Sequence, residues 1–189
     1  KIIAEFSNEY PNISIDVSVG TYKTIEDMII AEEVDCGFMS GTMRKELKFV
    51  PLRVDRMLAL VPPKLLPSGC KTLPLEAISD IDFIIPGEGS NYDIGRILRT
   101  AGVRPRVKYS VSDDYAAVAM AECGLGMTIV PELILKGIGG NRAAVELEPA
   151  CTRTIGIAER SIGTGSPACA AFMRFTENWV KRHSEDAIQ

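Results

Sequence analysis

Histidine is almost missing from this sequence. His183 is the only one, and it stands at the end of the last predicted helix, where a histidine is usually solvated. A Ser-His-Asp or Cys-His arrangement would have to be built on that residue, which makes such catalysis a poor fit. The spacing His-Glu-x-x-His does not occur, so a zinc hydrolase is not indicated. Gly-x-x-x-x-Gly-Lys-Ser/Thr does not occur either, so there is no P-loop. The five cysteines, Cys36, Cys70, Cys123, Cys151 and Cys169, are odd in number and widely spaced, with no Cys-x-x-Cys. Neither a zinc site nor a dithiol redox motif is indicated. Most of them read as small buried hydrophobes, which suits a reducing compartment, the cytoplasm. No apolar run is long enough to span a membrane. The first residues, "KIIAEFSNEYP", lack the basic stretch, apolar core and small-residue cleavage site of a signal peptide. A basic excess is missing too: the net charge is -4, which argues against this chain gripping a nucleic acid by itself.

What is present is an apolar content of 46% over 189 residues, enough to build a buried core. Its periodicity alternates between helix and strand. Ile2, Ile3, Phe6 and Tyr10 share one face of a first helix, stopped by Pro11. "ISIDVSVG" alternates strictly and reads as a strand. "TYKTIEDMIIAEEV" follows as a helix and "VDCGFM" as a strand. "FVPLRV" and "RMLALVP" read as two strands, and the proline-rich "PPKLLPSGC" as a loop. A second series follows. "IDFIIPG" is a strand, and Ser90 with Asp93 resembles a capping box at the start of a helix that Gly102 ends. "RVKYSV" is a strand, and Ser112 caps a helix with Asp113 and Asp114 in its first turn. "MTIVP" and a short helix "ELIL" come next, then two more strands, "AAVELE" and "RTIGIAER". Ser166 and Pro167 open a last helix whose stripe is Phe172, Phe175 and Trp179. Alternating strands and helices predict an α/β fold with mainly parallel sheets, in two lobes.

Polar chemistry concentrates at four strand-to-helix junctions: "VGTYKT" from Gly20, "FMSGT" from Phe38, "PGEGSNYD" from Pro86 and "SVSDDY" from Ser110. Hydroxyls, amide N–H groups and the positive end of a helix dipole suit a small anion. Each serine alone could be only a helix cap. Convergence of several junctions is what would make a site. The glycine-rich "AECGLGMTIVP" is not one. A nucleotide fingerprint places its glycines after a strand and before a helix, and here the order is reversed. Gly124 is expected as the left-handed residue after a helix, and Gly126 as room for the turn.

The order of these features resembles the effector-binding domain of LysR-type transcriptional regulators. The resemblance rests on Tyr10-Pro11 before the second strand of that family and on Val34-Asp35 before the third. It rests further on Pro51-Leu52, on Leu60-Val61-Pro62 at a crossover, and on Gly124-Leu125-Gly126-Met127 through Pro131. It covers nearly the whole chain. A glycine that usually precedes the "VD" pair is replaced by "AEEVD" here. The resemblance implies two Rossmann-like lobes joined by two crossover strands, a type II periplasmic-binding-protein-like architecture. By it, residues 1–60 plus 157–189 form the first lobe, without its first strand, and 61–156 the second. The family's N-terminal winged helix-turn-helix is expected to be absent from this chain.

The same resemblance implies an effector site in the cleft between lobes, contacted by Thr21, Tyr22, Phe38, Ser40, Leu60, Ser90, Asn91, Tyr92 and Ile157. The implied ligand is a small carboxylate or other small anion, with aromatic character suggested by Tyr22, Phe38 and Tyr92. No cofactor, metal or catalytic residue is implied. No Arg or Lys at these positions stands out as a carboxylate clamp. The implied assembly is a homodimer, a tetramer in the full-length protein, pairing "KIIAEFSNEY" with "YDIGRILRTAG". DNA would be bound only through the missing N-terminal domain. Two readings compete: an exported solute-binding protein of a transporter, and an enzyme on the same fold such as a prephenate dehydratase. "CTRT" at Cys151 matches the Thr-Arg-Phe motif of that enzyme only in part.

Overall fold

A computed structural model describes residues 1–41, 44–66, 69–138, 144–161 and 165–183. The chain divides into two compact units, Lys1–Val54 with Thr154–Gln189, and Asp55–Arg153. The chain enters the second unit along one long strand, β2 (Leu47–Leu60), and leaves it along another, β7 (Ala144–Arg160). Each was expected as two shorter strands. The expected gaps fall at Asp55 in one and at residues 149–152 in the other. Neither stretch carries the glycine or Asn-Gly that a turn needs. Asp55 is polar and yet almost wholly buried, so polarity marked an internal partner and not a turn.

In the first unit, α1 (Ile2–Glu9) packs its face on α6 (Pro167–His183). Phe6 is fully buried and stacks on Tyr10, with Phe172 and Phe175 edge-on to it. The start of α6 is capped as expected: Cys169 N–H donates to Ser166 Oγ at 3.0 Å. His183, expected in solvent, instead stacks on Trp179 at 3.9 Å between ring centroids. β1 (Cys36–Ser40) runs antiparallel to the second half of β7, with Phe38 opposite Ile157. α2 (Tyr22–Ile30) covers this pair through Ile29, Met39, Leu47 and Ala158.

The strand expected at "ISIDVSV" does not form. Residues 12–20 make no ladder with any described strand, and Val19 is 96% exposed. Alternation specifies which face would be buried, but a strand exists only where a neighbour accepts its hydrogen bonds.

In the second unit, the end of β2 pairs antiparallel with β6 (Thr128–Pro131). β3 (Thr72–Pro74) lies parallel to β7, and β4 (Asp82–Ile85) parallel to β5 (Arg106–Ser110). The pairing is therefore mixed, where mainly parallel sheets were expected. Two long strands that traverse the chain in opposite senses force antiparallel neighbours. α3 (Glu88–Ala101), α4 (Asp114–Glu122) and α5 (Glu132–Ile138) follow β4, β5 and β6. The core gathers Met57, Ile78, Phe83, Ile94, Met127, Ile129 and Leu147. Gly124 sits at φ 80° after α4, the left-handed position that ends a helix, so "GLG" is scaffold.

Candidate functional site

Each junction can be built from its own unit. In the first, Thr21 is the N-cap of α2. Its Oγ1 accepts from Thr24 N–H at 3.1 Å and shares a 2.9 Å hydrogen bond with Thr24 Oγ1. Tyr22, one residue on, is half-buried against the cluster of Ile29, Met39 and Leu47. Along β1, Ser40 is buried, while Phe38 is 40% exposed and edge-on to Phe172 at 6.3 Å. Thr42, in the same junction, lies outside the described residues. Ile157 is fully buried in a cluster with Cys169 and Met173, so its side chain offers no surface.

In the second unit, two junctions are brought together. Gly87 is the N-cap of α3, with no side chain capping that helix. A Cβ on Gly87 would lie 1.9 Å from the Ser112 carbonyl oxygen, so only glycine lets the β4–α3 and β5–α4 loops approach this closely. Ser90 was expected as a cap. It lies instead inside the first turn, buried, and its Oγ donates to Asp114 Oδ2 at 2.9 Å across the two junctions. The helix starts earlier because Gly87 can take the cap position against Ser112. Capping of α4 falls to Asp113, not Ser112: Asp113 Oδ1 accepts from Ala116 N–H at 2.9 Å. Asn91 is half-buried, its N–H bonding the Gly87 carbonyl at 3.2 Å. Tyr92 is exposed, and Leu60 is buried among Ile84, Val118 and Val130.

The sequence reading missed the buried ions beside this pair. Asp55 Oδ2 is 3.0 Å from both Arg153 Nε and Arg153 Nη2, and Asp55 Oδ1 accepts from Leu133 N–H at 3.1 Å. Arg153 Nη1 also lies 3.8 Å from Asp93 Oδ2, and Arg96 reaches Asp93 Oδ1 at 3.5 Å. Asp93, expected as half of a capping box, is instead fully buried within this network. A carboxylate at 0% exposure persists only with charged partners. Asp55 and Arg153 are also the residues at which the chain enters and leaves the second unit. The one signal for Arg153 in the sequence was a lone arginine in an uncharged stretch, "CTRT".

Asp114 behaves differently. Its carboxyl is pushed above the usual carboxylate range, chiefly by burial, against the Ser90 hydrogen bond and the Arg153 charge, which lower it. Its Oδ1 is buried and accepts no hydrogen bond. Among the described residues no group of three or more His, Cys, Asp or Glu could hold a metal ion. The second-unit junctions thus present hydroxyls, amide N–H groups and one half-buried carboxyl.

The model of the LysR substrate binding domain matches residues 1–181 of this sequence. The chain belongs to that family. Among curated relatives, this LysR substrate-binding domain is 20% identical over 138 residues to the HTH-type transcriptional regulator CysL of Bacillus subtilis (strain 168). That match covers 71% of this chain and 46% of the relative, so the chain spans about half the length of that protein. Among solved structures it is similar to the effector binding domain of QuiR in complex with shikimate. There the TM-score is 0.84 at 21% identity, covering 96% of this chain and 90% of that one. The regulatory domain of Synechocystis PCC6803 CcmR in complex with 2-PG gives a TM-score of 0.85 at 17% identity, covering 95% and 89%. The two-lobed α/β architecture of these domains is the fold of this chain.

Proposed function

We propose that this LysR substrate-binding domain senses a small anionic metabolite for a transcription regulator, and that Thr21, Ser40, Ser90 and Asn91 belong to its effector contacts. One observation carries the reading: in the second unit two strand-to-helix junctions meet, through Gly87 against Ser112 and Ser90 against Asp114. One of those junctions opens a fourteen-residue helix that no side chain caps. Amide N–H groups at such a helix start attract a carboxylate. Phe38 and Tyr92 are exposed aromatic surfaces of the kind that suits a ring or an alkyl portion of such a ligand. Two similar domains are in complex with shikimate and with 2-PG, which supports a small, polar ligand here too.

Effector binding would select one conformation of the domain and so alter how the regulator's other parts are placed. Those parts include a DNA-binding segment, and the regulator would be a dimer or tetramer of such chains in the cytoplasm. Five cysteines, odd in number and widely spaced, suit that setting. A thermal-shift screen of small carboxylic acids, shikimate among them, tests the reading. An acid that binds only the folded state raises the unfolding midpoint and does so saturably. A flat response to every acid, alongside a response to neutral or cationic compounds, would remove the anion from the proposal.

A further inference from the structure

We propose that Cys36 and Cys169 form a peroxide-oxidisable thiol pair that closes to a reversible disulfide within the first unit. The proposal does not depend on the effector reading. Cys36 opens β1, and Cys169 stands in the first turn of α6. Cys169 Sγ donates to the Asp35 carbonyl at 3.7 Å, and Asp35 is the residue joined directly to Cys36. The two thiols are close enough for each to shift the other's titration. Both pack in one cluster with Ile157, Met173 and Phe172. The other cysteines have no such arrangement. Cys70 and Cys151 donate to nearby carbonyls, of Thr72 at 2.9 Å and Pro149 at 3.3 Å, and Cys123 is exposed at the end of α4.

The two thiols are not equivalent. Cys169 lies at the N-terminal end of a seventeen-residue helix whose first turn is fixed by the Ser166 cap, and a thiolate is favoured there. The Cys36 thiol, donating to Cys169, holds the Cys169 thiol below its ordinary range. Burial and the carboxylates of Asp35 and Glu159 oppose this. Cys36 is correspondingly pushed up, by the shared hydrogen bond first and by burial next. Its place in the first turn of α6 makes Cys169 the thiol that attacks peroxide and Cys36 the resolving one.

The Cys169 thiolate attacks one oxygen of a hydroperoxide. The O–O bond breaks, the other oxygen leaves as alkoxide or hydroxide and takes up a proton, and Cys169 becomes a sulfenic acid. Cys36 sulfur then attacks Cys169 sulfur. The S–S bond forms, the S–O bond breaks, and the departing hydroxide takes the Cys36 proton as water. Two thiols and one hydroperoxide give one disulfide, one alcohol (or water) and one water. A dithiol reductant reverses the change. The bond would tie the first residue of β1 to the first turn of α6, on the strand that carries Phe38 and Ser40.

The test is to treat the fully reduced 189-residue chain with one equivalent of hydrogen peroxide. Free thiols should fall from the five of the reduced chain by two, and the intact mass by about 2 Da. Peptide mapping should show Cys36 joined to Cys169, and dithiothreitol should restore both. In Cys36→Ser, dimedone should label a sulfenic acid at Cys169. The wild-type measurement stands even if a variant fails to fold. Cys123→Ser removes any link formed between molecules. A chain that keeps all five thiols overturns the proposal, as does oxidation confined to Cys123 with Cys36 and Cys169 still reduced.

Discussion

The two units handle polar groups in opposite ways. The second buries them: Asp55, Asp93 and Arg153 are held by one another and by the Leu133 amide, and Ser90 is held by Asp114. The first keeps Thr21 and Phe38 at its surface, with Ser40 buried on the same strand as Phe38. Thr21 is half-exposed and bonded within its own helix turn, and Phe38 on β1 is 40% exposed. A buried charge network is hard to alter one residue at a time, because each partner left alone is costly. A surface cap can be exchanged with small effect on folding. The second unit therefore offers a fixed arrangement, and the first a set of surface residues that can be replaced one at a time.

The comparison breaks most severely at Arg153. Arg153→Ala takes the shared cation from buried Asp55 and Asp93, leaving Asp93 to Arg96, and removal of one partner from such a pair costs about 3–5 kcal/mol. A chemical-denaturation midpoint that barely moved would show that the carboxylates find other partners. Next comes Gly87→Ala. Its Cβ would meet the Ser112 carbonyl, a backbone group that cannot swing aside. Overpacking of this kind costs about 1–3 kcal/mol, and it should also loosen the start of α4, read as faster amide exchange at Ala116 and Ala117. Protection unchanged at those amides would mean that the two loops are not coupled.

A smaller and pH-dependent effect separates two carboxyls of the second unit. The Asp114 carboxyl is raised by burial, so the folded state holds its proton after the unfolded chain has lost it. Stability should therefore fall as pH rises from about 4 through the raised value, and Asp114→Asn should flatten that slope. Glu132 is lowered, first by its hydrogen bond to Arg56. Its contribution is present above the unfolded value and is lost as pH falls through the folded one, so Glu132→Gln should matter near neutrality and not in acid. Denaturant titrations at several pH values would show the two slopes with opposite sign, and equal slopes would contradict the assignment.

Much of this was legible in the sequence, and the misses have physical causes. The α2, α4 and α6 helices follow from apolar spacing and caps, and the left-handed Gly124 from a helix placed before a strand. The family was legible from the order of short motifs. The lack of a ladder at residues 12–20 was not, because alternation cannot say whether a partner is there to pair. β2 and β7 were each read as two strands, with gaps at Asp55 and at residues 149–152, because no local pattern shows that a ladder continues through them. Asp55 and Arg153 are 98 positions apart, and no local pattern joins them. Ser90 and Ser112 were read as caps because serine prefers that position, whereas the close approach of Gly87 moved one cap and Asp113 supplied the other.

The most direct test of the sensing account is Thr21→Asp, set against wild type in the thermal-shift screen of small carboxylic acids that includes shikimate. Aspartate caps a helix about as well as threonine, within a few tenths of a kcal/mol, so the unliganded midpoint should hardly change. Its charge would face an anion held at the start of α2. The account predicts that the acid which stabilises wild type loses most of its effect on the variant. An undiminished shift in Thr21→Asp, with the unliganded midpoint preserved, would contradict it.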